Sequence, residues 1–322
     1  MNTHSYPKLV TLVLFLFSAA IGNCCINEYR ALLNGDISFT DAGNAAPFAH
    51  FDETNKTLLL EKLREADSIY KRSKKLEDYS DLGSMLIYSG KFLDAKKIFQ
   101  EIEEKSPGRY QTAANIGTTY ELLGQNDSAL YWIKRAVEIN PNSHEGSEWI
   151  HVKILEAKIR ANGNENYLWT HSILSLDFGD ELLPVNKNNI DLDNIQSQLR
   201  NQLNERISFI KPKDPIVAQL LFDLGNVCAL TMDATSGLQV YRVAKEYGYN
   251  STLFEKRMAY FEKLQEKADF KNNTEGWARE HETLVILLMG IGFILVPLAV
   301  PIFFYVRNKK RKKAKNIGNK KI

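Results

Sequence analysis

The sequence predicts an all-α protein that consists of repeated helical hairpins, followed by one membrane-spanning helix. Three observations support this fold class. Small residues recur 34 positions apart between residues 76 and 143, apolar residues elsewhere follow one helix face, and an uncharged apolar run occupies residues 284–306. The chain has 322 residues, of which 44% are hydrophobic, and this is enough to build a folded body with a substantial core.

The N terminus has the features of a secretory signal. An apolar run at residues 9–21 follows a single cation, Lys8, and ends in small residues. Because the run is too short to span a bilayer, residues 1–22 are predicted to be a signal peptide. Cys24 follows a stretch that resembles a bacterial lipidation motif except at Asn23, and the pattern leaves lipid attachment at Cys24 open.

The segment that follows the signal differs in composition from the rest of the chain. Residues 23–52 are rich in Asn, Asp and Gly and show no periodic pattern, so they are predicted to be irregular and to lie over the helical array. Residues 53–270 are predicted to form the repeat domain. Its first helix, 54–74, is charged and turns Leu58 and Ile69 inward, which would cover the first exposed face of the array.

Two repeats, 76–109 and 110–143, carry the clearest pattern. After a shift of 34 positions, small or cyclic residues of the first coincide with those of the second: Gly83 with Gly117, Gly90 with Gly124, Ala95 with Ala129, and Pro107 with Pro141. Gly83 and Ala95 are predicted to lie where the two helices of a repeat cross, because larger side chains would separate the apolar faces. Gly90 is predicted to end the first helix, and Pro107 to begin the turn into the next repeat.

The middle of the domain repeats less regularly. Residues 144–177 are predicted to be a degenerate repeat in which His151 replaces the small residue at the helix crossing. Residues 178–217 are predicted to be an irregular part of the domain, and the apolar residues within 190–209 fall on one helix face. This part of the chain has no counterpart among the clear repeats.

A further repeat follows at residues 218–251. Asp214 is predicted to cap its first helix, with Pro215 at the first helical position. Cys228 falls on an apolar position of this repeat, so it is predicted to be a buried core residue rather than a reactive thiol.

The C-terminal region predicts a membrane anchor. Residues 271–283 are predicted to form a stalk, and residues 284–306 would cover about 34 Å as a helix, which is enough to span the hydrocarbon layer. The tail 307–322 carries nine cations and no carboxylate, which places it in the cytoplasm by the positive-inside rule. The predicted location is therefore the cell membrane, with a single span and the repeat domain outside the cytoplasm, in the periplasm of a Gram-negative source.

The charge balance argues against a nucleic-acid partner for the repeat domain. Nine of the 41 Lys and Arg residues lie in the tail, which leaves 32 against 39 Asp and Glu in residues 1–306. An acidic body repels phosphate backbones. The cationic tail is predicted to lie near anionic lipid.

The repeat pattern resembles the tetratricopeptide repeat family, in which each helix–turn–helix unit has small residues at its eighth and twentieth positions and proline at its thirty-second. The whole chain resembles exported, membrane-anchored bacterial members of unassigned function. The resemblance implies an α-solenoid whose first helices line a concave groove that binds a protein or peptide. Carried onto this sequence, the implied groove residues are Ser80, Ser84, Tyr88, Gln111, Asn115, Thr118, Glu121, Glu145, Glu148 and Trp149.

No catalytic, cofactor or metal motif is found in the sequence. His281 and Glu282 begin a zinc-protease pattern that lacks its second histidine. Glu148 and His151 have the Glu-x-x-His spacing of di-iron proteins, but the second pair that such sites need is missing. The protein is therefore predicted not to be an enzyme and to need no cofactor.

The sequence thus predicts a non-catalytic scaffold for protein interactions, tethered to the membrane. The alternative is an envelope sensor that passes ligand or partner binding through the membrane helix to the cytoplasm. Deletion of the tail would separate the two functions, because a scaffold would keep its partner and a sensor would lose its output.

Overall fold

A computed structural model describes residues 28–40 and 43–287, together with a few single residues between 289 and 309. The predicted signal peptide, Cys24, and most of the predicted membrane helix and tail lie outside the described residues. Within the described part of the chain, none of the helices combines the length and the apolar character that crossing a membrane requires. The chain divides into two compact units, Met1–Lys267 and Ala268–Ile322.

The first unit begins with a small β-hairpin. Strands β1 (Glu28–Ala31) and β2 (Ile37–Thr40) pair antiparallel, with Ala31 opposite Ile37. The sequence predicted an irregular segment here, and this was wrong for the hairpin. Strands of four residues are too short for an alternating pattern to stand out from the surrounding polar residues.

Eleven α-helices follow within the described residues, and they account for most of the fold. Two short 3-10 turns, Glu53–Asn55 and Ser143–Gly146, precede α1 and α6. The helices are α1 (Lys56–Ser73), α2 (Leu76–Tyr88), α3 (Phe92–Lys105), α4 (Tyr110–Leu122), α5 (Asn126–Ile139), α6 (Glu148–Ala161), α7 (Glu165–Thr170), α8 (Leu192–Phe209), α9 (Pro215–Thr231), α10 (Ala234–Glu246) and α11 (Thr252–Glu280).

Consecutive helices pack against each other and form a stack of hairpins. Helices α2 and α3 form one hairpin, α4 and α5 the next, and α9 and α10 another, while α3 also packs on α4 and α5 on α6. This stacking confirms that the fold is a mainly α-helical solenoid, as predicted. The β-hairpin is an addition that the sequence did not predict. Helix α11 runs through most of the predicted stalk, so that segment is helical as far as Glu280.

Glycines allow the helices of three hairpins to approach closely. A methyl group at Gly83 would lie 2.6 Å from Phe99 Cζ, and one at Gly117 would lie 2.5 Å from Ile133 Cδ1. At Gly225 the nearest atom would be Tyr241 Cδ1, at 2.3 Å. These separations are far below van der Waals contact, so the small residues are required at the crossing points, as the sequence predicts.

Helix α8 departs from the regular stack. Besides its successor α9, it packs against α2, α6 and the turn Ser143–Gly146, and thus lies across the first helices of the hairpins. Asp214 caps the N terminus of α9, as predicted. Its carboxylate accepts hydrogen bonds from the backbone N–H groups of Ile216 and Val217, and Pro215 occupies the first helical position.

The N-terminal segment runs back along the array, as the sequence predicts. At the hairpin, the buried Arg30 donates to Asp233 and Ser236 at the start of α10. Further along, the backbone N–H groups of Phe48 and His50 donate to Asn204 and Ser208 of α8. The segment therefore joins the last hairpin to α8 before the chain enters α1.

Candidate functional site

Helices α2, α4, α6 and α8 enclose a cavity of about 280 Å³. Most of the residues that line it have polar side chains, and seven of the ten predicted groove residues contribute to it. These seven are Ser84, Tyr88, Gln111, Asn115, Thr118, Glu121 and Glu148. The repeat pattern and the family resemblance thus identify residues that the structure brings together.

The other three predicted groove residues lie outside the lining of this cavity. Ser80 accepts a hydrogen bond from Ser84 through its carbonyl, within helix α2. Glu145 accepts from the hydroxyl of Ser197, and the indole of Trp149 donates to Gln198 at 2.8 Å. Glu145 and Trp149 therefore hold α8 in place and do not face the cavity.

Helix α8 fills much of the groove that the sequence predicted to be open. It contributes four residues to the cavity: Gln202, Glu205, Arg206 and Phe209. These residues were missed because residues 178–217 match no repeat. The sequence feature that could have identified them is a row of polar residues on one face of the helix. Gln198, Gln202 and Arg206 are spaced four residues apart, and all three are buried. Buried polar residues in a row indicate a polar partner.

A buried ion network lies at the floor of the cavity and is centred on Glu121. The guanidinium of Arg206 donates to both of its carboxylate oxygens, at 3.0 and 3.2 Å. Lys158 Nζ and His151 Nε2 each lie 2.6 Å from one oxygen. Since Arg206 comes from α8 and the others from α4 and α6, the network ties α8 to the stack.

The network shifts the pKa values of its members in opposite directions. Burial alone would raise the pKa of Glu121, but Arg206, Lys158 and His151 outweigh it and hold the pKa well below its usual range. Burial would likewise lower the pKa of His151, but the facing Glu121 carboxylate outweighs it and the pKa is raised. Both groups are therefore charged near pH 6.

Glu148 is the second buried carboxylate of the cavity. Its Oε1 accepts a hydrogen bond from the hydroxyl of Tyr110 at 3.0 Å, while His151 Nδ1 lies 3.7 Å from Oε2. Burial would raise the pKa of Glu148, but His151 and Tyr110 outweigh it and the pKa is lowered. Glu148 is thus ionised at neutral pH and faces the cavity.

The stability of the protein should depend on pH through this network. The raised pKa of His151 means that its charged form is favoured by folding, so its contribution is complete below its ordinary pKa of 6.5 and is lost as pH rises through the raised value. The lowered pKa of Glu121 means that its contribution is complete above 4.5 and is lost as pH falls through the lowered value.

We therefore expect the contribution of this network to the free energy of unfolding to be highest between about pH 4.5 and 6.5. Urea unfolding at a series of pH values measures it. The variant His151→Gln should reduce the decline on the alkaline side, because it removes one of the groups that titrate there. The buried Asp223, whose pKa is raised to about 8 by burial, causes a separate decline that this variant leaves in place. An alkaline decline of equal size in this variant would contradict the assignment to His151.

The described residues contain no group of three or more His, Cys, Asp and Glu residues arranged to hold a metal ion. Cys228 is fully buried in α9, and burial raises the pKa of its thiol to about 11. A thiol in this setting is protonated at neutral pH, which agrees with a core residue.

Comparisons with known proteins give little further information. No family model matches the chain, and no curated protein matches it. Among solved structures, the chain is similar to a tetratricopeptide repeat protein from Parabacteroides merdae, with 12% identity and a TM-score of 0.28 over 65% of this chain and 94% of that one. Membership of the tetratricopeptide repeat family therefore stays a prediction.

Proposed function

We propose that the protein is a non-catalytic interaction scaffold that takes a short segment of a partner protein into the cavity between α2, α4, α6 and α8. The observation that carries this proposal is the convergence of seven predicted groove residues on that one cavity. Clefts with a few well-placed polar groups are the usual form of a binding site.

The size of the cavity limits what it can receive. Helix α8 covers part of the groove, and the remaining space of about 280 Å³ is just below the usual range for ligand pockets, about 300–1,000 Å³. A chain terminus or one or two side chains would fit there, whereas a long extended peptide would need α8 to leave. The proposed partner segment is therefore short.

We further propose that the scaffold is tethered to the cell membrane with the repeat domain outside the cytoplasm. The apolar runs at 9–21 and 284–306 and the cationic tail support this part of the proposal. A scaffold held in this way would present its cavity to partners on the outer side of that membrane.

Site-directed crosslinking in intact cells tests both parts. A membrane-impermeant photocrosslinker is attached to a cysteine at Gln111, an exposed residue of the cavity lining, or at Lys134, an exposed residue of α5 that does not line it. We expect one discrete crosslinked protein from Gln111→Cys and only the background of the native cysteines from Lys134→Cys. A cavity-filling Thr118→Phe substitution should abolish the specific product.

Identical products from both positions, or a product that persists in the Thr118→Phe background, would contradict the scaffold proposal. The unfolding temperature of each variant shows whether it is folded. Labelling of Gln111→Cys only after the membrane is permeabilised would contradict the location but leave the scaffold proposal standing.

A further inference from the structure

Two buried polar atoms of the cavity lining have no hydrogen-bond partner among the described residues. They are Oε2 of Glu148 and Nε of Arg206. Their side chains are only 6% and 3% exposed, so bulk water does not readily reach these atoms to supply the missing hydrogen bonds. An unpaired polar group in such a place costs about 1–3 kcal/mol, and native structures contain few of them.

The other polar atoms of these two side chains each have a partner. Both terminal nitrogens of Arg206 donate to Glu121, and the other oxygen of Glu148 accepts from Tyr110. The two unpaired atoms are an acceptor and a donor that line the same cavity. A molecule that satisfies both must therefore carry a donor and an acceptor.

The distribution of charge selects the kind of donor. Arg206, Lys158 and His151 all meet Glu121, so that carboxylate is neutralised. Glu148 and Glu205 line the cavity as well, and each faces a histidine: His151 at Glu148, and His50 at Glu205, where Nε2 lies 3.2 Å from Oε1. Glu205 also accepts from the hydroxyl of Tyr88 at 2.9 Å. His151 lies with its Nδ1 3.7 Å from Oε2 of Glu148, so its charge serves both Glu121 and Glu148. The oxygen of Glu148 that accepts no hydrogen bond still belongs to an ionised carboxylate, and a carboxylate forms its strongest hydrogen bonds with cationic donors.

We infer that the cavity binds a primary ammonium group with an adjacent carbonyl or carboxylate oxygen, the chemistry shared by a peptide amino terminus and a free amino acid. The ammonium group donates to Oε2 of Glu148, and the oxygen accepts from Nε of Arg206. The inference rests on the proposed function, because it names the chemistry of the segment that enters the same cavity.

Calorimetric titration of the full-length chain in detergent tests the inference. The probes are the tripeptide Ala-Ala-Ala, its N-acetylated form and free alanine. We expect the free tripeptide to bind and acetylation to weaken binding about tenfold or more, because a charged hydrogen bond is lost. Comparable binding of free alanine would identify a free amino acid as the source of the ammonium group, and much weaker binding would identify a chain terminus.

Variants of two glutamates on α6 provide the matched comparison. Glu148→Gln keeps the size of the side chain but removes its charge, and should weaken binding of the free tripeptide about tenfold or more. Glu156→Gln removes a carboxylate that pairs with Lys134 and Lys153 outside the cavity, and should leave binding unchanged. The Glu148→Gln protein must show the same cooperative unfolding as the native chain.

Equal binding of the free and acetylated tripeptides, equal binding to native protein and Glu148→Gln, or no binding of either amine would overturn the inference. The crosslinking experiment at Gln111 separates this result from failure of the proposed function. A specific crosslink without amine binding removes only the inference, whereas amine binding without a crosslink removes the scaffold proposal and leaves only an amine-binding site.

Discussion

Replacing Gly225 with alanine should lower the free energy of unfolding by about 2–3 kcal/mol, although alanine is the better helix former. The added methyl group would lie 2.3 Å from Cδ1 and 2.4 Å from Cε1 of Tyr241 on the facing helix α10. One of the two helices or the ring must move to relieve this overlap, and each movement disrupts packing in a fully buried region.

The ring of Tyr241 has little freedom to move. It is stacked on Phe261 and makes an edge contact with Phe254, at centroid separations of 5.4 and 5.2 Å. Its hydroxyl donates to Asn226 at 2.7 Å, and Asn226 also accepts from the buried Arg257. Displacement of the ring would therefore break a hydrogen-bonded cluster as well as the aromatic packing.

Chemical denaturation of a graded set of glycine variants measures the effect. Gly276→Ala is the control, because no atom lies within 4 Å of the added methyl group in α11, and it should be neutral or slightly stabilising. Gly117→Ala should also be destabilising, since its methyl group would lie 2.5 Å from Cδ1, 2.6 Å from Cγ1 and 3.2 Å from the backbone nitrogen of Ile133. Equal stability of Gly225→Ala and Gly276→Ala would contradict the close approach of α9 and α10.

Replacing Glu121 with glutamine should cost about 3–5 kcal/mol, the usual effect of removing one partner of a buried ion network. The amide keeps the shape of the carboxylate but leaves Arg206, Lys158 and His151 without their anion. Arg206 is 2% exposed and cannot turn to water without moving α8. We therefore expect α8 to separate from the groove before the stack itself unfolds.

Hydrogen exchange and denaturation together measure this effect. Amides of α8 should exchange faster in Glu121→Gln than in native protein, and the midpoint of unfolding should fall. The control is Glu156→Gln, whose ion pairs are partly exposed and should contribute less than about 1 kcal/mol. An unchanged exchange rate in α8 would show that the network does not hold this helix.

The stack of hairpins was predictable because its requirements are local and periodic. Gly83 and Gly117 recur at one fixed spacing, and each faces a large side chain sixteen residues later, Phe99 or Ile133. The same logic identifies Gly225 in the later repeat. Period and residue size were therefore sufficient to predict these crossing points without knowledge of the tertiary fold.

The position of α8 was not predictable by the same reasoning. Its contacts join residues far apart in the sequence, such as Arg206 and Glu121, and no repeat period encodes them. The sequence placed Glu121 and Glu148 in a groove, but not the helix that covers that groove. The buried stripe at Gln198, Gln202 and Arg206 indicates a polar partner but does not identify it.

The return path of the N-terminal segment changes how mechanical load would pass through the molecule. An open solenoid can peel from its ends one unit at a time, because each unit touches only its neighbours. Here Arg30 and Asp233 are joined across 203 positions of the chain, and His50 and Ser208 across 158. Force applied to the first strand therefore passes directly to the last hairpin and to α8, without first passing through the helices that lie between them in the chain.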